Sequence, residues 1–226
     1  MPREFLLHHG VLHPDPELIG YDSTARIPLR VVIAEVEAAR IGALMTRVAV
    51  FGGSFNPPHV SHVLAAAYVL ATQEIDRLLV VPANDHPFGK RLAPFAHRFA
   101  MCERAFADLS RVEVSPIERS LGGEGRTLHM LQALRASHPE WSLRLVVGGD
   151  ILNESHKWFA WEEVVALAPL IVLGRQGHAA PGAPAPLLPE LSSTELRAML
   201  ARGEDVGALV PRGVRAYIEA EELYRA

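Results

Sequence analysis

Val48-Ala49-Val50-Phe51-Gly52-Gly53-Ser54-Phe55-Asn56-Pro57-Pro58-His59-Val60-Ser61-His62 reads as an apolar strand that runs into two glycines, turns through a double proline and delivers two histidines at the mouth of a helix. These are parts that suit an anionic phosphate. Glycines let the backbone approach, helix-start amides donate hydrogen bonds, and imidazoles add N–H donors that can carry charge. No Gly-Lys-Ser/Thr follows, and Gly-x-Gly-x-x-Gly is absent, so two common nucleotide-binding loops are excluded.

Outward from this stretch, apolar strands at Arg47–Phe51, Arg77–Val81, Val112–Val114, Leu143–Val147 and Leu170–Leu173 alternate with helical patterns. The helices fall at Ser61–Thr72, Phe95–Leu109, Thr127–Ala136 and Trp161–Leu167, the first capped by Ser61 or the preceding turn. The alternation predicts an α/β fold, a Rossmann-like doubly wound parallel sheet of about five to six strands with helices on both faces. Ligands of such sheets bind at strand carboxyl ends, where strand order reverses. The first motif, Pro82–Lys90 and Gly148-Gly149-Asp150 all follow strands and are expected to share one cleft.

Residues 46–226 form the expected catalytic domain. Residues 1–45 read as an amino-terminal extension, irregular over 1–28 around Pro14, Pro16 and Pro28, then one helix over Leu29–Leu44. His8, His9 and His13 lack the carboxylate or cysteine partners of a metal site. Met45 stands directly before the first motif strand, so one reading starts the natural chain there; peptides from residues 1–44 in the native protein would overturn it. The proline- and alanine-rich His178–Pro189 reads as an extended surface loop.

Of the 226 residues, 49% are apolar, enough for a packed core, and the net charge of −4 gives no general case for nucleic-acid binding. Cys102 is the single cysteine, which excludes an intrachain disulfide, and its helical setting reads as a core thiol. No apolar run reaches the ~18 residues of a membrane span, and no secretory leader is evident. The expected location is the cytoplasm, with no membrane or nucleic-acid partner; a homo-oligomer stays open.

A second element, Leu191-Ser192-Ser193-Thr194-Glu195-Leu196-Arg197, opens a helix. Ser192 with Glu195 fits a capping box, while the amides, hydroxyls and Arg197 also fit an anion site. The first motif resembles the Gly-Gly-Ser/Thr-Phe-Asp/Asn-Pro, His-x-Gly-His signature of the nucleotidyltransferase superfamily, with Ser61 at the glycine position. The second resembles that superfamily's Ser-Ser-Thr-x-x-Arg element. Lys90, His97-Arg98-Phe99-Ala100-Met101, Gly148-Gly149-Asp150 with Trp158 and Trp161, and Arg175 extend the resemblance over about residues 47–225, to nicotinate mononucleotide adenylyltransferases. Gly125-Arg126-Thr127 departs from that family's Ser-Tyr-Thr, with arginine at the tyrosine position.

The resemblance implies adenylyl transfer from ATP to nicotinate or nicotinamide mononucleotide, with Mg²⁺ carried on ATP and no dedicated metal site. It assigns His59, His62, Lys90 and Arg197 to catalysis. Gly52, Gly53, Ser54 and Phe55, then Gly148, Asp150, Arg175, Ser193 and Thr194, fall to ATP. Thr127 and Trp158 fall to the mononucleotide. Trp158 and Trp161 also read as a core pair, Asp150 as a helix cap, and His86 as a turn residue with no role. Rival readings are another adenylyl- or cytidylyltransferase, such as pantetheine-phosphate adenylyltransferase, and a nucleotide-binding sensor without turnover.

Overall fold

The computed structural model describes residues 6–8, 11–13, 45–84, 92–122, 126–174 and 191–225. The chain divides into two units, Met1–Met45 and Thr46–Ala226. In the first, β1 (Leu6–His8) and β2 (Val11–His13) pair antiparallel, with Leu7 opposite Leu12. This corrects the irregular reading at residues 6–8 and 11–13; the rest of residues 1–28 lies outside the described residues. The three prolines behind that reading lie beyond the paired triplets, whose leucines and Val11 suit extended pairing. The helix expected at Leu29–Leu44 lies outside the described residues.

In the second unit, β3 (Thr46–Gly53), β4 (Arg77–Pro82), β5 (Val112–Val114), β6 (Trp141–Gly148) and β7 (Leu170–Leu173) form one parallel sheet in the order β5-β4-β3-β6-β7. Alternate side chains of the inner strands feed two cores. Ala49, Leu78, Val80 and Val146 meet α1 (Val60–Thr72), α2 (Phe95–Phe106), α7 (Ser193–Ala201) and α8 (Arg212–Ala220) on one face. Val48, Val50, Leu79, Val81, Leu145 and Val147 meet α4 (Thr127–Ser137) and α6 (Trp161–Leu167) on the other. Because both faces are covered, the inner strands are continuous apolar runs rather than alternating ones. At the edge, Glu113 of β5 is exposed between two half-buried valines. Two short helices, α3 (Ile117–Leu121) and α5 (Gly149–Asn153), and a 3₁₀ turn at Ser155–Lys157 complete the unit.

β3 and β6 are neighbours although β4 and β5 lie between them in sequence. The chain winds outward from β3 through β4 to β5, then crosses back to β6 and on to β7. That reversal opens a crevice at the carboxyl ends of β3 and β6. Cys102 is fully buried and burial holds its thiol protonated, as expected for a core thiol. None of the described helices is long and apolar enough to cross a membrane.

At the amino ends of β3 and β4, Arg47 donates to Asp76 through Nε at 3.2 Å and Nη2 at 2.8 Å. These bonds lower the Asp76 carboxyl to about 2, against about 3.9 in an unfolded chain. Their stabilisation is present above the unfolded value and is lost as pH falls through the folded one. Both groups are more than two-fifths exposed, so solvent screening limits the gain. Asp76→Asn is expected to cost under about 1 kcal/mol at pH 7. In urea titrations, its difference from the unchanged protein should shrink from pH 4 downward.

Candidate active site

Gly53 ends β3 beside Pro82 of β4, and Gly148 ends β6 beside Leu173 of β7. The glycine motif and Gly148 thus lie on the carboxyl edge at the β3–β6 crevice. A Cβ on Gly53 would sit 3.1 Å from the Phe55 ring, which would have to yield by a few tenths of an ångström to admit it. Gly52 is exposed, and a Cβ there would meet nothing within 4 Å.

Phe55 takes a left-handed φ of 45°, uncommon for an aromatic residue. Its ring is 1% exposed and meets Phe51 at 5.5 Å, His62 at 4.9 Å and Phe106 at 6.2 Å. The ring is drawn into the core beneath the loop by its own hydrophobicity, which leaves the Phe55 backbone for the ATP role that the resemblance implies. The Asn56–Pro57 peptide is cis.

His59 is the N-cap of α1, and its backbone N–H donates to Nδ1 of His62 at 3.1 Å. Histidine here takes the place of the usual Glu or Gln three residues into a helix. Ser61, offered by sequence as a cap, lies inside the first turn and is buried. The accepting Nδ1 fixes the neutral His62 ring as the Nε2–H tautomer. The two imidazoles lie 3.8 Å apart at 31°.

The second element folds onto the first. Ser192 Oγ accepts from Glu195 N–H at 3.1 Å, the expected cap. Ser193 Oγ donates to the Pro57 carbonyl at 3.0 Å. Arg197 Nη1 donates to the carbonyls of Asn56 at 2.7 Å and Ser193 at 3.1 Å, and Nη2 to Thr194 Oγ1 at 3.3 Å. Two motifs some 140 residues apart are therefore joined by direct bonds.

Arg98 lies within the resemblance motif, which gives it no role. It is 1% exposed, and its guanidinium donates to Ala93 at 2.8 Å, Ser54 at 3.0 Å, Ala83 at 2.6 Å and Asn84 at 3.0 Å, all carbonyls. It ties the loop after β3 to the loop after β4. The legible signal was its spacing with Met101, Cys102 and Ala105, which puts a charge on the buried face of α2.

Thr127 begins α4, and the preceding Arg126 lies 4.0 Å over the ring of Phe159. His129 also meets Phe159, at 5.9 Å. These contacts bring the start of α4 to the segment after β6 that carries Trp158. Trp158 meets Trp161 edge-to-face at 5.3 Å and packs half-buried against the core. Phe159, half exposed, went unread in the sequence. Asp150 falls within α5, but its side chain, like Lys90, Arg175 and His86, lies outside the described residues.

Fold and site together define a nucleotidyltransferase of the cytidylyltransferase-like family, whose model matches residues 50–199. A protein of Anaeromyxobacter dehalogenans named "Probable nicotinate-nucleotide adenylyltransferase" is 52% identical over 182 residues, 79% of this chain and 96% of that protein. One of the same name from Myxococcus xanthus is 44% identical, covering 79% of this chain and 94% of its own. The chain belongs to the nicotinate-nucleotide adenylyltransferase family. Its fold matches that of the Plasmodium falciparum nicotinic acid mononucleotide adenylyltransferase complexed with NaAD, with a TM-score of 0.66 at 20% identity, over 79% of this chain and 97% of that one.

Proposed function

We propose that the protein transfers the adenylyl group of ATP to nicotinate mononucleotide in NAD biosynthesis. A phosphate oxygen of the mononucleotide attacks the α-phosphorus in line, and the bond to the β-phosphate breaks to release pyrophosphate. The observation that carries this reading is the junction of the two phosphate-type elements, Arg197 on the Asn56 carbonyl, beside the β3–β6 crevice. The names of the 52% and 44% identical relatives support it.

The attacking monoester is largely dianionic at pH 7, its second pKa being about 6, so it needs no strong base. Catalysis rests on position and charge. Nε2–H of His62 is the donor proposed for phosphate oxygens, with His59 stacked behind it. Thr194 and the amides at the start of α7 would hold the outer phosphates, and Arg197 supplies positive charge there. Lys90 and Arg175 would add cations. Gly148 and Asp150 would face adenosine, and Thr127 and Trp158 the pyridine nucleotide. Among the described residues no three carboxylate, histidine or cysteine side chains gather as a cage. Mg²⁺ is proposed to enter on the phosphates of ATP, adding charge stabilisation there.

The test is pyrophosphate release from Mg-ATP with nicotinate mononucleotide, nicotinamide mononucleotide and phosphopantetheine offered separately. Turnover favouring nicotinate mononucleotide is expected. Turnover with phosphopantetheine alone, or with none of the three, overturns the proposal.

The open space above Gly52 gives a sharper expectation. Gly52 lies in β3 without a left-handed φ, so valine suits its backbone; the new Cβ meets no protein atom within 4 Å, while the branches beyond it enter the proposed phosphate approach. The KM for ATP should rise roughly tenfold, about 1.4 kcal/mol, with the melting temperature unchanged. An unaltered KM would place ATP elsewhere.

A further inference from the structure

Asn56, between the glycine motif and His59, is 1% exposed, and its side chain is held from two directions. Oδ1 accepts from Ala93 N–H at 3.2 Å and from the Tyr224 hydroxyl at 2.8 Å. Around it, the Ser54, Asn56 and Pro57 carbonyls accept from Arg98, Arg197 and Ser193. Every one of these donors except Tyr224 belongs to an element already placed around the site.

The path of the chain to Tyr224 is unusual. After α8, Leu223 N–H donates to the Ile218 carbonyl at 3.0 Å and Glu222 N–H to the Glu219 carbonyl at 3.4 Å. This is a Schellman ending with Glu222, φ 53°, where glycine is usual. Two residues on, Tyr224 itself adopts φ 63°. Non-glycine residues enter that region at a cost in free energy and stay there only when their surroundings enforce it. The packing of Leu223 against the core and the Tyr224–Asn56 bond are the enforcing contacts. Burial also holds the phenol protonated well above its usual range, so it remains a donor.

We propose that Tyr224 is a positioning residue for adenylyl transfer: by holding the Asn56 side chain it fixes the loop from which both motif histidines and the Arg197 contact are aimed. Asn56 is buried, so loss of the bond shifts the loop without removing an exposed side chain from the site. This inference rests on the adenylyl-transfer reading above.

The test is a double-mutant cycle of Tyr224→Phe and Asn56→Ala in the full chain, with kcat and KM from pyrophosphate release and melting temperature from circular dichroism. Tyr224→Phe removes one oxygen and keeps the ring in the core. A fall in kcat of roughly tenfold is expected, since small misplacements far from the chemistry cost up to about 10² in rate. KM for both substrates should hold nearly constant, and the melting temperature should fall by no more than about 2–4 °C, the shift that one lost hydrogen bond gives. The double variant should be no slower than Asn56→Ala alone. Loss of folded Tyr224→Phe protein assigns the tyrosine to stability and overturns the proposal, as does strict additivity in the cycle. Turnover by the unchanged protein with equal kcat in Tyr224→Phe sinks this inference alone. No turnover by the unchanged protein sinks the adenylyl-transfer reading and this inference with it.

Discussion

His62→Ala should lower kcat for pyrophosphate release by about 10²–10³, the usual cost of deleting one preorganised donor to developing charge. The same substitution removes the acceptor for the His59 N–H and should cost about 1 kcal/mol of stability, as lost helix caps do. The two roles belong to different ring nitrogens and can be separated. In His62→Asn, Oδ1 stands where Nδ1 stood and restores the cap, but nothing reaches the place of Nε2. Stability should therefore return toward that of the unchanged protein while the rate stays as low as in His62→Ala. A fast His62→Asn enzyme would show that the cap, and not the donor, is what turnover needs.

Arg98→Met should strongly destabilise the catalytic unit. The methionine conserves much of the buried volume but leaves four carbonyls, in the segments after β3 and β4, without their shared charged donor. Each buried acceptor left without a donor costs about 1–3 kcal/mol, so the loss should amount to several kcal/mol. For a unit of this size that lowers the melting temperature on the order of 10 °C. Arg98→Lys should recover only part of this, because an ammonium cannot span the fork that the guanidinium spans. A melting temperature within about 2 °C of the unchanged protein, the shift expected for well under 1 kcal/mol, would mean that these carbonyls find other partners.

The sheet was legible because its inner strands carry uninterrupted runs of β-branched and leucine residues between turn signals; the segments at Val112–Val114 and Leu170–Leu173 have the bounds read from sequence. The phosphate-type motifs were legible because glycine, proline and capping residues report backbone geometry locally. Less legible were features set by residues distant in sequence. Phe55 reads as part of a binding motif, but Phe106 and His62 take its ring. Arg98 reads as a helical arginine until four carbonyls from separate loops are seen around it. The α8 helix, by contrast, is legible in the sequence: after Pro211, Val214, Tyr217 and Ile218 fall at i, i+3 and i+4 on one face among charged residues. In the first unit, triplets as short as Leu6–His8 fall below the length at which strand alternation is readable.

The Asn56–Tyr224 bond joins residues 168 positions apart, and β3, at the centre of the sheet, precedes every strand it must pair with in that sheet. A ribosome adding about 5–20 residues per second leaves the glycine motif exposed for on the order of ten seconds before its last anchor emerges. During synthesis, the nucleotide site is thus the first part of the catalytic unit to be written and the last to be finished, and the α7 segment that carries Thr194 and Arg197 must have emerged before the nascent chain can gain affinity for ATP.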